Sequence, residues 1–355
     1  MRNEARSTGI SKRRAEYRAR RKYRQRLFLL FLIIINVIVV LNIWNVNIQI
    51  KQLQATLQRL ENARYENEKT ETETVEISVA GLTDYVSSIS TAEVGKPRSR
   101  TWMETLQTLD MLGQSNPLID EISRNNSLYP EDMLMALANN PEMADYVAGY
   151  PEYMQMQENR NTSVMDEKSE AAGLSEAEKA QEYPLLLQWD PRWGYQIYGK
   201  SNYIGIAGCG PTCLAMVMYY LTKEESFTPD RIAAYAMSNG YYVEGTGTAW
   251  ALMKDLPETY GIEVKEHKIS ERTLKGALED GELLICAMRE GDFTAAGHFI
   301  VIYGYDEFGF KVNDPNCVAR SRRRWSYDEI GEQIKSVWGY RKNTENFAQT
   351  TFYML

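Results

Sequence analysis

The sequence predicts an α+β chain, a helical part followed by an antiparallel sheet, preceded by one transmembrane helix and a helical stalk region. Three observations predict it. Residues 27–44, LFLLFLIIINVIVVLNIW, are apolar and carry no charge. Residues 209–256 hold three runs with helical apolar spacing. Residues 283–314 hold short strand-like runs around a tight turn.

Composition bounds the possibilities. The chain has 355 residues, enough for a catalytic domain plus further parts. A net charge of -8 excludes nucleic-acid binding through overall charge. The four cysteines, Cys209, Cys213, Cys286 and Cys317, form no CxxC pair and no disulfide framework. With two histidines, His267 and His298, the chain has little capacity for a His-based metal site, and nothing in it calls for a metal or cofactor.

Residues 1–26 are densely basic and are read as a cytoplasmic segment. Residues 27–44 are close to the lower limit for spanning a bilayer as a helix. The run NVNIQIKQLQ after it has no A-x-A-like cleavage site, so an uncleaved signal anchor is expected rather than a signal peptide. The excess of arginine before the span places the N-terminus in the cytoplasm and the bulk of the chain outside, as a single-pass protein of the cell membrane.

Residues 45–115 read as a stalk. Ile50, Leu53, Leu57 and Leu60 recur at spacings of three and four, a heptad-like seam that also suits weak self-association. Within the stalk, Glu, Thr, Ser and Asn dominate up to Arg100. Trp102, Leu106, Leu109 and Leu112 then mark an amphipathic helix. Residues 116–158 form a small helical segment, punctuated by Tyr129-Pro130, Asn140-Pro141 and Tyr150-Pro151. Residues 159–182 are polar and charged and read as a linker, and 183–355 form the C-terminal domain.

In that domain, helices are expected from Cys209 to Leu221, from Pro229 to Met237 with Thr228 as cap, and from Thr248 to Leu256. Leu283 to Met288 reads as a buried strand. His298 to Tyr305 and Phe310 to Asp314 read as a hairpin around Asp306-Glu307-Phe308-Gly309, and Thr350 to Leu355 as a closing strand.

One constellation carries chemistry. Cys209, in Gly208-Cys209-Gly210-Pro211-Thr212, is expected at a helix N-terminus, with Pro211 at the first helical position. There the dipole favours a thiolate, and flanking glycines leave the sulfur unshielded. His298 follows Ala295-Ala296-Gly297, small residues that leave room for a neighbouring side chain. The hairpin places positions 298 and 314 opposite each other, so a His298–Asp314 contact is expected. An acceptor there fixes the imidazole tautomer. Cys213 and Cys286 lie in apolar runs and read as core, whereas His267, among charges in VKEHKIS, reads as exposed.

The stretches LLLQWDPRWGY, GCGPTCLAMVMYYLT, GTAWAL, GHFIVIYGYD and VNDPN resemble the C39-like peptidases of bacteria, within the papain-like cysteine peptidase group. The resemblance covers roughly residues 183–355 and implies the papain-like cysteine peptidase fold. It implies Cys209 as nucleophile, His298 as base, Asp314 as the orienting residue, and Gln188 as a side-chain donor to the oxyanion. Trp189, Trp193, Tyr241, Tyr242 and Trp250 are candidates for a substrate cleft, although aromatics at such density more often form core. Thr246-Gly247-Thr248 reads as a loop that binds substrate backbone or simply caps a helix. Gly208 and Gly297 complete the substrate-side candidates.

The expected activity is hydrolysis of peptide bonds in a peptide or protein substrate, outside the cytoplasm. The alternatives are cleavage of peptidoglycan stem peptides by the same fold, and an inactive peptide-binding module. No transporter span or nucleotide-binding motif accompanies the domain.

Overall fold

The computed structural model describes residues 94–162 and 173–342, apart from the side chains of 158–162. The basic segment, the span over 27–44, the heptad-like seam and the expected strand at Thr350–Leu355 lie outside the described residues. Among the described residues no helix is long and apolar enough to cross a membrane.

A capping box opens the first helix, Trp102–Gly113 (α1): Thr101 accepts from the Glu104 N–H and Glu104 accepts from the Thr101 N–H. Pro117–Arg124 (α2), Glu131–Asn139 (α3), Ala144–Ala148 (α4) and Tyr150–Thr162 (α5) follow, with a short 3-10 turn at Pro141–Met143. Tyr150-Pro151 opens α5 rather than ending a helix, because a proline in the first turn removes an N–H that has no helical partner there.

These helices do not form a separate body. Leu109, Ile119, Ile122, Met133, Leu134 and Leu137 share one apolar core with Leu186, Trp189 and Trp193. The sequence reading had assigned α1 to the stalk; its buried Leu109 instead joins it to the helical cluster. The end of the expected 159–182 linker is also folded in. Glu176–Ala180 (α6) has its own capping box, and buried Glu178 receives the Arg192 guanidinium at 2.6 Å.

The helical part of the C-terminal domain contains Ile204–Ala207 (α7), Cys209–Thr222 (α8), Pro229–Ser238 (α9) and Leu252–Thr259 (α10). α8 is buried on all sides from Gly210 to Tyr219, which explains its nearly unbroken apolar sequence. Thr228 occupies the cap position of α9, but its hydroxyl makes no capping bond. The expected third helix starts at Leu252, since Thr248 pairs in a small hairpin of Tyr242–Val243 (β1) with Gly247–Thr248 (β2).

The main sheet comprises Ile262–Glu266 (β3), Leu283–Arg289 (β4), Gly297–Asp306 (β5), Gly309–Asn313 (β6), Arg324–Trp325 (β7) and Ile334–Lys342 (β8). Its order is β3-β8-β4-β5-β6-β7 and all pairs are antiparallel. Leu283, Ile285 and Ala287 face the core that holds α8, whereas Leu284, Cys286 and Met288 face a second core with Glu271–Glu279 (α11). Burial on both faces accounts for the continuous run LLICAM.

Register corrects one expectation. At the turn the hairpin pairs Asp306 with Gly309 and Tyr305 with Phe310. Continued unchanged, that register would set position 301 against Asp314 and put His298 on the opposite face, three places away. A bulge between Ile302 and Gly304 shifts the pairing to Ile302–Val312 and Val301–Asn313. Asp314 thus comes level with position 300, and His298 is a same-face diagonal neighbour rather than a direct partner.

Candidate active site

Cys209 is the first residue of α8, with Gly208 as its cap. Pro211 therefore sits at the third helical position, where its missing N–H is still one of the unpaired donors of a helix start. The flanking glycines have packing reasons. A β-carbon at Gly208 would lie 2.5 Å from the Ile204 side chain, and one at Gly210 2.7 Å from the Thr248 hydroxyl. The glycines let the helix start close against α7 and β2.

His298 hydrogen-bonds through Nε2 to Asp314 Oδ1 at 2.7 Å, and the Cys209 sulfur lies close enough to act electrostatically on its ring. Asp314 is fully buried. Its Oδ1 also accepts the Asn316 N–H at 2.9 Å, and its Oδ2 accepts from Arg320 Nη1 at 3.3 Å. Burial disfavours imidazolium at His298, but the Asp314 carboxylate and the Cys209 sulfur outweigh it and push His298 up to about 10. Burial likewise disfavours the Asp314 carboxylate. The His298 and Arg320 charges and the Asn316 N–H more than offset that and hold Asp314 below its ordinary value.

These groups open on a cleft of about 400 Å³ lined by Cys209, His298, Gln188, Thr246, Gly247 and Gly297, among others. Residues 180–346 match the model of the Peptidase_C39 like family. The C-terminal domain belongs to that family.

Two solved structures are similar to this C39-like domain. One is the peptidase domain of Streptococcus ComA, described as a bi-functional ABC transporter involved in a quorum sensing pathway. It is 18% identical, covers 45% of this chain and 99% of that one, and has a TM-score of 0.32. The other is a putative C39-like peptidase from Bacillus anthracis, 16% identical over 39% of this chain and 90% of that one, with a TM-score of 0.25. No curated protein matches the chain significantly.

The C39-like domain places the remaining candidates unevenly. Gln188 is buried at the cleft, but its Nε2 donates to the Gly205 and Ile206 carbonyls at 3.0 and 3.3 Å, and its buried Oε1 has no protein partner. Trp189 does not line the cleft: it is fully buried and donates its indole N–H to the Asn316 carbonyl at 2.9 Å. Trp250 lies outside too, edge-on to Trp338 with the Lys335 ammonium over its ring. Gly208 acts through the helix start and is not part of the lining. Of the aromatic candidates, Tyr242 lines the cleft, whereas Trp193 is core.

Sequence reasoning missed Arg320, the buried cation beside Asp314. The run ARSRRR held four arginines, and nothing in their order separated the one that turns inward. It also missed that Pro97, Ala136 and Asn139, far upstream of the C39-like domain, line the same cleft.

Proposed function

We propose that the chain is a membrane-anchored cysteine peptidase that hydrolyses peptide bonds outside the cytoplasm. The observation that carries this reading is a single imidazole, His298, bonded to a buried carboxylate and sharing the wall of one cleft with the Cys209 thiol. Cys209 Sγ attacks the substrate carbonyl carbon and forms a tetrahedral intermediate. The first N–H groups of α8 stabilise its oxyanion, joined by the Gln188 amide once substrate is seated. His298 protonates the leaving amine, and the C–N bond breaks to give a thioester. Water, deprotonated by His298, hydrolyses the thioester and restores the thiol. Asp314 holds the ring with one nitrogen toward Cys209 and stabilises imidazolium throughout. The apolar run at 27–44 and its basic flank support the anchor and its orientation.

Iodoacetamide labelling of the full chain across pH tests the reading, with Cys209→Ala and His298→Ala as controls. Labelling of Cys209 that is already fast near pH 6, where an ordinary thiol of midpoint about 8.5 is mostly protonated, and that slows on loss of His298, supports it. Labelling that tracks an ordinary thiol and ignores His298 sinks it. With a cleaved peptide in hand, either substitution lowers the rate by about 10⁴-fold or more.

A further inference from the structure

The loop that carries Asp314 is held from outside the C39-like domain. Asn140 and Glu142 lie upstream of that domain, after α3, and both are buried. Asn140 Oδ1 accepts the Glu142 N–H at 3.1 Å, and its Nδ2 donates to the Asn316 carbonyl. Asn316 is the residue whose N–H bonds Asp314 Oδ1. Glu142 accepts the Val318 N–H at 2.7 Å and the Ala319 N–H at 2.9 Å. Those are the first two residues of Val318–Arg322 (α12), the short helix that carries Arg320 to Asp314 Oδ2. Each of the two upstream side chains thus grips one side of the carboxylate: Asn140 through Asn316, Glu142 through α12 and Arg320. The loop is also held by the Gln188 N–H on the Pro315 carbonyl at 2.8 Å and by the Trp189 indole N–H, which shares the Asn316 carbonyl with Asn140.

We propose that Asn140 and Glu142 are positioning residues for Asp314, so that the upstream helices are part of the catalytic unit and not a spacer. A helix of five residues cannot hold itself, since nucleating one turn is unfavourable. Its two orphan donors here are met by one carboxylate that arrives from another part of the chain. Loosening the Glu142 contact releases Arg320, and loosening the Asn140 contact releases Asn316. The Asp314–His298 bond then lengthens and imidazolium loses support. The proposal rests on the peptidase reading only in giving Asp314 a part in catalysis, as the carboxylate that orients His298.

The test uses the full chain with carbon-13 at histidine, whose two histidines are told apart by His298→Ala. His298 faces Cys209 and Asp314; Arg320 faces Asp314, and Cys317 lies beside Glu142. Wild type is compared with Glu142→Gln, with Asn140→Ser, and with Glu263→Gln, which removes a surface acid paired to Arg341. Asn140→Ser changes no charge; it keeps an acceptor for the Glu142 N–H and loses the donor to Asn316. The expected result is a fall of the His298 midpoint by about one pH unit in both upstream variants, with a matching loss of about tenfold in Cys209 labelling, and no change in Glu263→Gln. A variant that melts earlier yet keeps the wild-type His298 midpoint overturns the proposal, because a merely structural role moves stability alone. Should Glu142→Gln fail to fold, Asn140→Ser decides by the same criterion. If the midpoint falls but wild-type Cys209 labels like a free thiol, positioning stands and the peptidase reading fails.

Discussion

The two histidines of the chain both sit against a carboxylate, and only one of the pairs lies in a site. His298 Nε2 is 2.7 Å from Asp314 Oδ1, and His267 Nε2 is 2.5 Å from Glu282 Oε2. All four side chains are at most 7% exposed. Burial and a short His–carboxylate contact therefore do not by themselves mark chemistry. What differs is the rest of each neighbourhood. The free side of the His298 ring meets Cys209 at the wall of a cleft, and Asp314 is braced by Asn316 and Arg320. His267 and Glu282 sit over Gly339 of β8, away from the cleft lining. The first pair shares a cleft wall with a thiol; the second staples the edge of the sheet.

The largest expected effect separates the pairs by activity. Asp314→Ala leaves His298 without an acceptor and Arg320 with a buried charge unpaired, and lowers peptide hydrolysis by about 10³-fold. Asp314→Asn keeps an acceptor for the ring N–H but not the charge, so its loss is smaller, about tenfold. Glu282→Gln changes the equivalent group of the other pair and leaves the rate within about twofold, although breaking a buried pair lowers stability. Steady-state rates on one peptide check all three. A loss in Glu282→Gln equal to that in Asp314→Ala would make the comparison meaningless.

The same contrast shows how far sequence carries. Local chemistry was legible: the helix start at Cys209, the buried run LLICAM, and the turn at Asp306–Gly309 all follow from nearest neighbours and periodicity. The His298–Asp314 contact was expected from a direct cross-strand pairing, but it depends on a bulge. Gly304 beside Tyr303 was the only hint of that. His267 was misread as exposed because its chain neighbours are charged, whereas Glu282, which buries it, comes from the turn before β4. Arg320, Asn140 and Glu142 reach the site through contacts that pattern within a segment does not encode.

A smaller effect comes from the staple itself. A β-carbon added at Gly339 would lie 1.8 Å from Glu282 Oε2 and 2.6 Å from His267 Nε2. Gly339→Ala must push the pair aside within a buried space, at about 1–3 kcal/mol. Urea denaturation reads that cost, and Cys209 labelling stays at the wild-type rate. Slower labelling in Gly339→Ala would mean that the two ends of the sheet are coupled.

The smallest effect is a slope. Cys209→Ser takes the sulfur out of the titration and leaves His298 with Asp314. The sulfur contributes to the rise at His298, so the folded midpoint in this variant lies below about 10, yet the carboxylate still holds it above the ordinary 6.5. A group whose folded midpoint is raised contributes stability that is complete below its unfolded midpoint and is lost as pH climbs through the folded one. Cys209→Ser is therefore expected to lose stability from pH 6.5 upward, by about 1.4 kcal/mol for each unit of elevation. In Cys209→Ser with His298→Ala that share of the slope disappears. The two chains are otherwise identical, so denaturation midpoints at a series of pH values isolate what the Asp314 carboxylate does for one imidazole. Equal slopes in the two chains would mean that Asp314 gives His298 no net charge support.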